Sequence, residues 1–233
     1  MVKEDLVKRS PLRALERSIH GGLGPGHIGV LASRKGVGKT ACLVHIAADR
    51  LLQGRPVIHV SYSARVDYII NWYEDIFKEI TGRRESPEAA EFLEEVIRHR
   101  VIMNFKQDGA RTEQVLKSIE AMIKDGRFEA QTLIVDGYDF GLARPEDLSK
   151  FREFAGRLGI EFWFSASLRG EDPLYDDAGV PRLLAPFLGE VSVLITLHDE
   201  GGHVRLKLVK DRDFPPGELN LKLDPRTLLL AEA

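Results

Sequence analysis

The sequence predicts an α/β domain with a mostly parallel central sheet, helices on both faces and an antiparallel hairpin at one edge. Three observations carry this expectation. Short apolar runs rich in β-branched residues alternate with helix-length amphipathic stretches, the pattern of a parallel sheet with helical crossovers. The first apolar run leads through a glycine-rich loop straight into a helix, the context of a phosphate-binding loop. The closing stretch, VSVLITL, then DEGG, then HVRLKLV, reads instead as a β-hairpin, with period-two alternation in its second arm.

Each element has its own signal. Residues 1–20 read as a short N-terminal helix or arm, with Leu12, Leu15 and Ile19 at helical spacing after Pro11, and 21–233 as one domain. Lys3, Lys8, Arg9, Arg13 and Arg17 make this arm locally basic, which is read as a solvated helix face. GGLGPG is a turn, and Ile28–Ala32 is a strand. Ala41–Gln53 is a helix that stops at Gly54. VIHVSY is the next strand, followed by a helix over Asp67–Ile80. Ser86 and Pro87 mark a further helix start, as cap and first-turn residue. VIMNF is a strand, and Thr112–Lys124 a helix capped by Thr112. TLIVD suits a central parallel strand. Glu146–Leu158 is a helix, Glu161–Ser165 a strand, 166–190 loop-rich, and ELNLKLD and TLLL short closing strands.

Composition narrows the function classes. The chain has 233 residues, enough for one core without disulfide or metal staples. The formal net charge is −3, so no global basic field draws it to nucleic acid. The single cysteine, Cys42, excludes an intrachain disulfide and fits a reducing, cytoplasmic setting; it is read as a packing residue. No apolar run reaches the ~18 residues of a membrane span, and the charged start lacks the apolar centre of a signal peptide. The histidines are scattered, and His45 and Asp49, four apart, are read as surface or packing residues.

The phosphate-loop pattern GxxxxGK[ST] reads here Ser33-Arg34-Lys35-Gly36-Val37-Gly38-Lys39-Thr40, with Ser in place of the first glycine. Gly36 and Gly38 allow backbone angles that aim successive N–H groups at phosphate oxygens. The helix N-terminus adds its positive dipole end. Lys39 reaches the β- and γ-phosphates, and Thr40 offers a hydroxyl to Mg²⁺. The expected nucleotide-binding set is Arg34, Lys35, Gly36, Val37, Gly38, Lys39, Thr40 and Ala41. The ligands are ATP, or ADP, with Mg²⁺; no base-reading motif separates ATP from GTP.

TLIVD puts Asp136 at the C-terminal end of a central strand, where ligands collect in open α/β sheets. An acid there completes the metal site with Thr40. Asp139 is a weaker candidate. Phe162, Trp163 and Phe164 are read as sheet core and not as a base-stacking platform.

In order and spacing these segments resemble the RecA-like ATPases, specifically the branch of KaiC, RadA and DnaB. SPLRALERSIHGGLGPGHIGVLASRKGVGKT is similar to the lead-in of KaiC and RadA, and ASRKGVGKT resembles the DnaB form of the loop. TLIVDGYDF resembles the Walker B segment, LGIEFWFSASLRG the following strand and its sensor end, and VSVLITLHDEGGHVRLKLVKDRDFPPG the closing hairpin with its KxR segment. The resemblance implies a homo-oligomer, a ring of six or a filament, in which Lys210 and Arg212 reach a neighbour's γ-phosphate. It implies a phosphate-sensing role at Ser165 and Ser167. It also implies a water-polarising glutamate near positions 63–64, where this chain has Ser63 and Ala64, neither of which acts as a base at neutral pH.

Several readings of function stay open. The chain is a weak or oligomer-dependent ATPase acting as a nucleotide-dependent regulator of an unidentified protein partner. Alternatively it is a non-hydrolysing ATP-binding switch or assembly factor, as Ser63 and Ala64 suggest. A DNA recombination or helicase accessory is disfavoured, because Glu171, Asp172, Asp176 and Asp177 outweigh Arg169 and Arg182 in the 168–182 segment. A ParA/MinD-type ATPase fits poorly, since Arg34 stands at its signature lysine position.

Overall fold

A computed structural model describes residues 2–62, 66–80, 94–106 and 111–232. Nine strands form one sheet in the order β3-β2-β4-β5-β1-β6-β7-β8-β9. In chain order these are β1 (Ile28–Arg34), β2 (Val57–Ser61), β3 (Arg100–Asn104), β4 (Thr132–Asp136), β5 (Glu161–Leu168), β6 (Val193–Asp199), β7 (Val204–Asp211), β8 (Leu221–Leu223) and β9 (Leu230–Glu232). The helices are α1 (Val2–Arg9), α2 (Leu12–Ser18), α3 (Lys39–Leu52), α4 (Val66–Ile80), α5 (Thr112–Lys124) and α6 (Pro145–Leu158), with a 3₁₀ turn at Arg182–Phe187. The expected helix start at Ser86 and Pro87 lies outside the described residues; 94–98 are helical and lead into β3.

Strand periodicity divides the core into two layers. Ile134 and Trp163 face one side, packed with α2, α3 and α4. Leu133, Val135, Phe162 and Phe164 face the other, against α5 and α6. Phe162, Trp163 and Phe164 are all at most 1% exposed, so they are sheet core as expected. Phe151 of α6 meets Phe162 and Phe164 edge-on at centroid separations of 5.4 and 5.1 Å. Across the sheet Trp163 pairs with Gly29, where an added Cβ would sit 2.5 Å from the indole ring. Glycine there is what lets a tryptophan lie flat in the middle of the sheet.

Several local expectations are corrected. β6 runs parallel to β1, so the first arm of the hairpin belongs to the parallel sheet. The antiparallel part is β7, β8 and β9. Thr112 is the first residue of α5 and not its cap; Arg111 is the cap, and the Gln114 side chain accepts its N–H at 3.4 Å. His45 and Asp49 are interior, 3% and 2% exposed. His45 Nδ1 accepts the Leu230 N–H at 3.0 Å, which attaches β9 to α3.

The N-terminal helices pack through Leu12, Leu15 and Ile19, all buried. Charge fastens them as well. Arg13 pairs with Asp49 of α3. Arg50 of α3 bridges Glu16 at 2.7 Å and Glu161 at 2.9 Å, and Glu161 also accepts Thr132 Oγ1–H at 2.9 Å. Each buried charge in this group thus has a partner, which offsets the cost of removing it from water.

Candidate functional site

The site forms where β1, β4 and β5 end together. β1 is buried from Ile28 through Ser33, then the chain turns through Lys35–Gly38 into α3. Gly36 has φ +86° and Gly38 φ +114°, values that L side chains rarely adopt. At Gly38 a second constraint applies: an added Cβ would lie 2.3 Å from Leu223 Cδ2 of β8. The loop is therefore folded against the C-terminal strands as well as turned.

Lys39 is 7% exposed. Its Nζ donates to Ser33 O at 3.1 Å, Ser33 Oγ at 3.2 Å and Arg34 O at 2.9 Å. The serine that replaces the usual first glycine thus supplies an acceptor of its own. Burial pulls the Lys39 ammonium down to about 8, and the Asp136 carboxylate works against that fall.

Asp136 meets a hydroxyl at each oxygen. Thr40 Oγ1 donates to Oδ2 at 2.9 Å, and Ser165 Oγ donates to Oδ1 at 2.6 Å. Ser165 in turn accepts the Gly137 N–H at 2.8 Å. Thr40 and Asp136 are the pair expected from the sequence, and the fold brings them into contact across 96 positions of chain. Two neutral or anionic oxygens with room for water and phosphate suit a hard cation such as Mg²⁺, which keeps most of its water shell.

A cleft of about 950 Å³ opens over this corner. Its floor is Lys35–Thr40 with Asp136, Ser165 and Ser167. One wall is α4, with Tyr68, Ile69 and Trp72; the other is aliphatic, with Val204, Leu223, Pro225 and Leu228. A polar floor between apolar walls, at this volume, is the ordinary form of a small-molecule site.

Not every expected residue faces the cleft. The Arg34 side chain turns away to Gly170 O at 3.2 Å and Asp172 Oδ1 at 3.1 Å, and Ala41 is fully buried in α3. Ser63 and Ala64 lie outside the described residues. Lys210 and Arg212 lie at the other end of the sheet. Asp211 pairs with Val193, which pairs with Gly29, five residues before Arg34 and so about 16 Å from the loop at ~3.3 Å per residue. Lys210 Nζ donates to Leu188 O at 2.9 Å and to Val191 O. Arg212 donates to Gly22 O at 3.0 Å, Leu23 O at 3.2 Å and Ile19 O, and pairs with buried Asp211 at 2.9 Å.

Two parts of the site go beyond what the sequence suggests. Ser165 is expected to sense phosphate, whereas here it holds Asp136. β4 and β5 are in register at Val135 and Phe164, so each next residue lies alongside the other. A strand-end serine beside a strand-end acid is the available signal. The aliphatic wall has no signal, because β8 and the residues after it reach the loop only through the fold.

The solved structure of the ATPase domain of a DnaB-like helicase superposes on this chain with a TM-score of 0.70 at 15% sequence identity, covering 95% of this chain and 89% of that one. The fold is thus the RecA-like α/β fold of an ATPase domain, with a mostly parallel sheet and antiparallel C-terminal strands. No protein-family model matches the chain, and no curated protein matches it. Among the described residues no helix is long and apolar enough to cross a membrane.

Proposed function

We propose that the protein binds Mg-ATP, or Mg-ADP, at this corner and acts as a nucleotide-dependent regulator with weak or assembly-dependent ATPase activity. The observation that carries the reading is the Thr40–Asp136 hydrogen bond beside a buried Lys39, on a glycine loop that opens into the cleft. Lys35–Lys39 main chain and the Lys39 ammonium take the phosphates, and Thr40 with Asp136 holds Mg²⁺. The aliphatic wall of Leu223, Pro225 and Leu228 receives the base by packing.

The DNA-handling alternative loses further support. Arg169 pairs with Asp139, and Arg182 Nε donates to Tyr175 O at 3.3 Å, so both basic groups of the 168–182 segment are engaged within the chain. A role for Lys210 and Arg212 at a neighbour's nucleotide requires an assembly that draws them off five backbone carbonyls. The non-hydrolysing switch is the second reading, favoured by the absence of a carboxylate at Ser63 and Ala64.

Calorimetric titration with Mg-ATP, Mg-ADP and inorganic triphosphate tests the main reading. The expected result is Mg²⁺-dependent binding of all three, with the nucleotides tighter by the contribution of the base wall. No heat and no thermal shift with any of them would refute it.

A further inference from the structure

Among the described residues three carboxylates line the cleft: Asp136, Asp139 and Asp199. Asp136 is occupied at both oxygens by Thr40 and Ser165. Asp199 ends β6, strand-ordered on the far side of β1 from the metal acid. Asp139 is different. It stands three residues after Asp136, on the metal side of the loop. Its Oδ1 accepts the Gly141 N–H at 2.9 Å, which fixes the carboxylate on its turn. Its Oδ2 meets Arg169 Nη1 at 3.3 Å.

Arg169 follows β5 and lines the same cleft. Its side chain is 71% exposed, against 18% for Asp139. An exposed ion pair of this length is weak and exchangeable. A γ-phosphate set on Lys39 would offer the guanidinium a second, more highly charged anion, in a charge-assisted contact.

We propose that Asp139 and Arg169 are the hydrolytic couple of this site, standing in for the carboxylate missing at Ser63 and Ala64 and for a cation from a neighbour. This rests on the reading that the cleft binds Mg-ATP. In the free chain Arg169 covers Asp139. When the triphosphate is bound, Arg169 moves to the γ-phosphate and the uncovered Asp139 carboxylate orients a water. The water oxygen attacks the γ-phosphorus, and the bond to the β,γ-bridging oxygen breaks. ADP leaves with that electron pair, and the water proton passes to Asp139 and on to solvent. The products are ADP and inorganic phosphate.

The test separates binding from turnover. Wild type, Asp139→Asn, Arg169→Ala and Arg169→Lys are compared by Mg-ATP calorimetry and by single-turnover phosphate release. The asparagine amide oxygen keeps the Gly141 contact, so the loop should hold, and melting curves check this. Expected are Mg-ATP affinities within about twofold of wild type for Asp139→Asn, with phosphate release slowed about 100-fold or more. Arg169→Ala should slow release about 10³-fold, and Arg169→Lys should recover part of it. Phosphate release at the wild-type rate in a folded Asp139→Asn protein would overturn the proposal, as would a wild type that binds Mg-ATP and never releases phosphate. A wild type that does not bind Mg-ATP would instead remove the nucleotide reading on which the couple depends.

Discussion

Lys39 and Arg212 are both basic side chains whose tips rest on backbone carbonyls, and they sit at opposite ends of the same sheet. Lys39 rests on Ser33 and Arg34 at the floor of a cleft, beside an acid whose partners are hydroxyls. Arg212 rests on Ile19, Gly22 and Leu23 and is paired with Asp211, which is 1% exposed. The first arrangement leaves a cation next to open volume, ready to take a second anion. The second closes a cation into the frame, joining the end of β7 to the turn that precedes β1. A lysine or arginine in the sequence does not distinguish these fates; what stands opposite it does.

That contrast can be broken by mutation. Lys39→Ala should cost about 1,000-fold in Mg-ATP affinity, ~4 kcal/mol, with little change in melting temperature. Calorimetry beside a melting curve reads both quantities, and retained affinity would remove Lys39 from the site. Arg212→Ala should do the reverse. It leaves buried Asp211 with His20 as its remaining ion-pair partner and strips three carbonyls, so stability should drop by about 3 kcal/mol while nucleotide affinity is kept. A normal melting temperature would mean that the arginine is free to act elsewhere.

Acid should act through the joint between the phosphate helix and β9. His45 is buried, and burial pulls its imidazole down from 6.5 to about 4. Its folded-state value lies below its unfolded one, so the unfolded chain binds the proton first. Stability from this group is full above pH 6.5 and is lost as pH falls toward 4, by about 3 kcal/mol over that window. Urea unfolding at stepped pH measures it, and His45→Gln should flatten the slope between pH 6.5 and 4. The smallest effect is expected at the metal acid. Asp136→Asn keeps one acceptor and removes the charge, so the Mg²⁺ concentration for half-maximal ATP binding should rise about tenfold, ~1.4 kcal/mol. An unchanged metal requirement would move the site to another acid.

The parts of the site that are legible from residues are local or strand-periodic. Lys39 and Thr40 follow from loop chemistry read over eight consecutive positions, and Asp136 from an apolar run that ends in an acid. Arg34 lies inside the same string and so reads as a ligand; whether its side chain enters the cleft depends on Gly170 and Asp172, far along the chain. The same limit applies to β6. A hairpin pattern states that two arms pair, and it cannot state that the first arm also pairs in parallel with β1.

The sequence by itself determined the alternation of strands and helices, the phosphate loop and the candidate metal acid, because side-chain period and glycine backbone freedom act within a few residues of their cause. The tertiary structure decided the rest. It seated Leu223 on Gly38, put Ser165 against Asp136, and brought Arg169 to Asp139 across 30 positions. It also tied Lys210 and Arg212 into the far end of the sheet. Each of these is a contact between segments distant in sequence, set by strand order and register, and no local pattern of residues encodes which strands become neighbours.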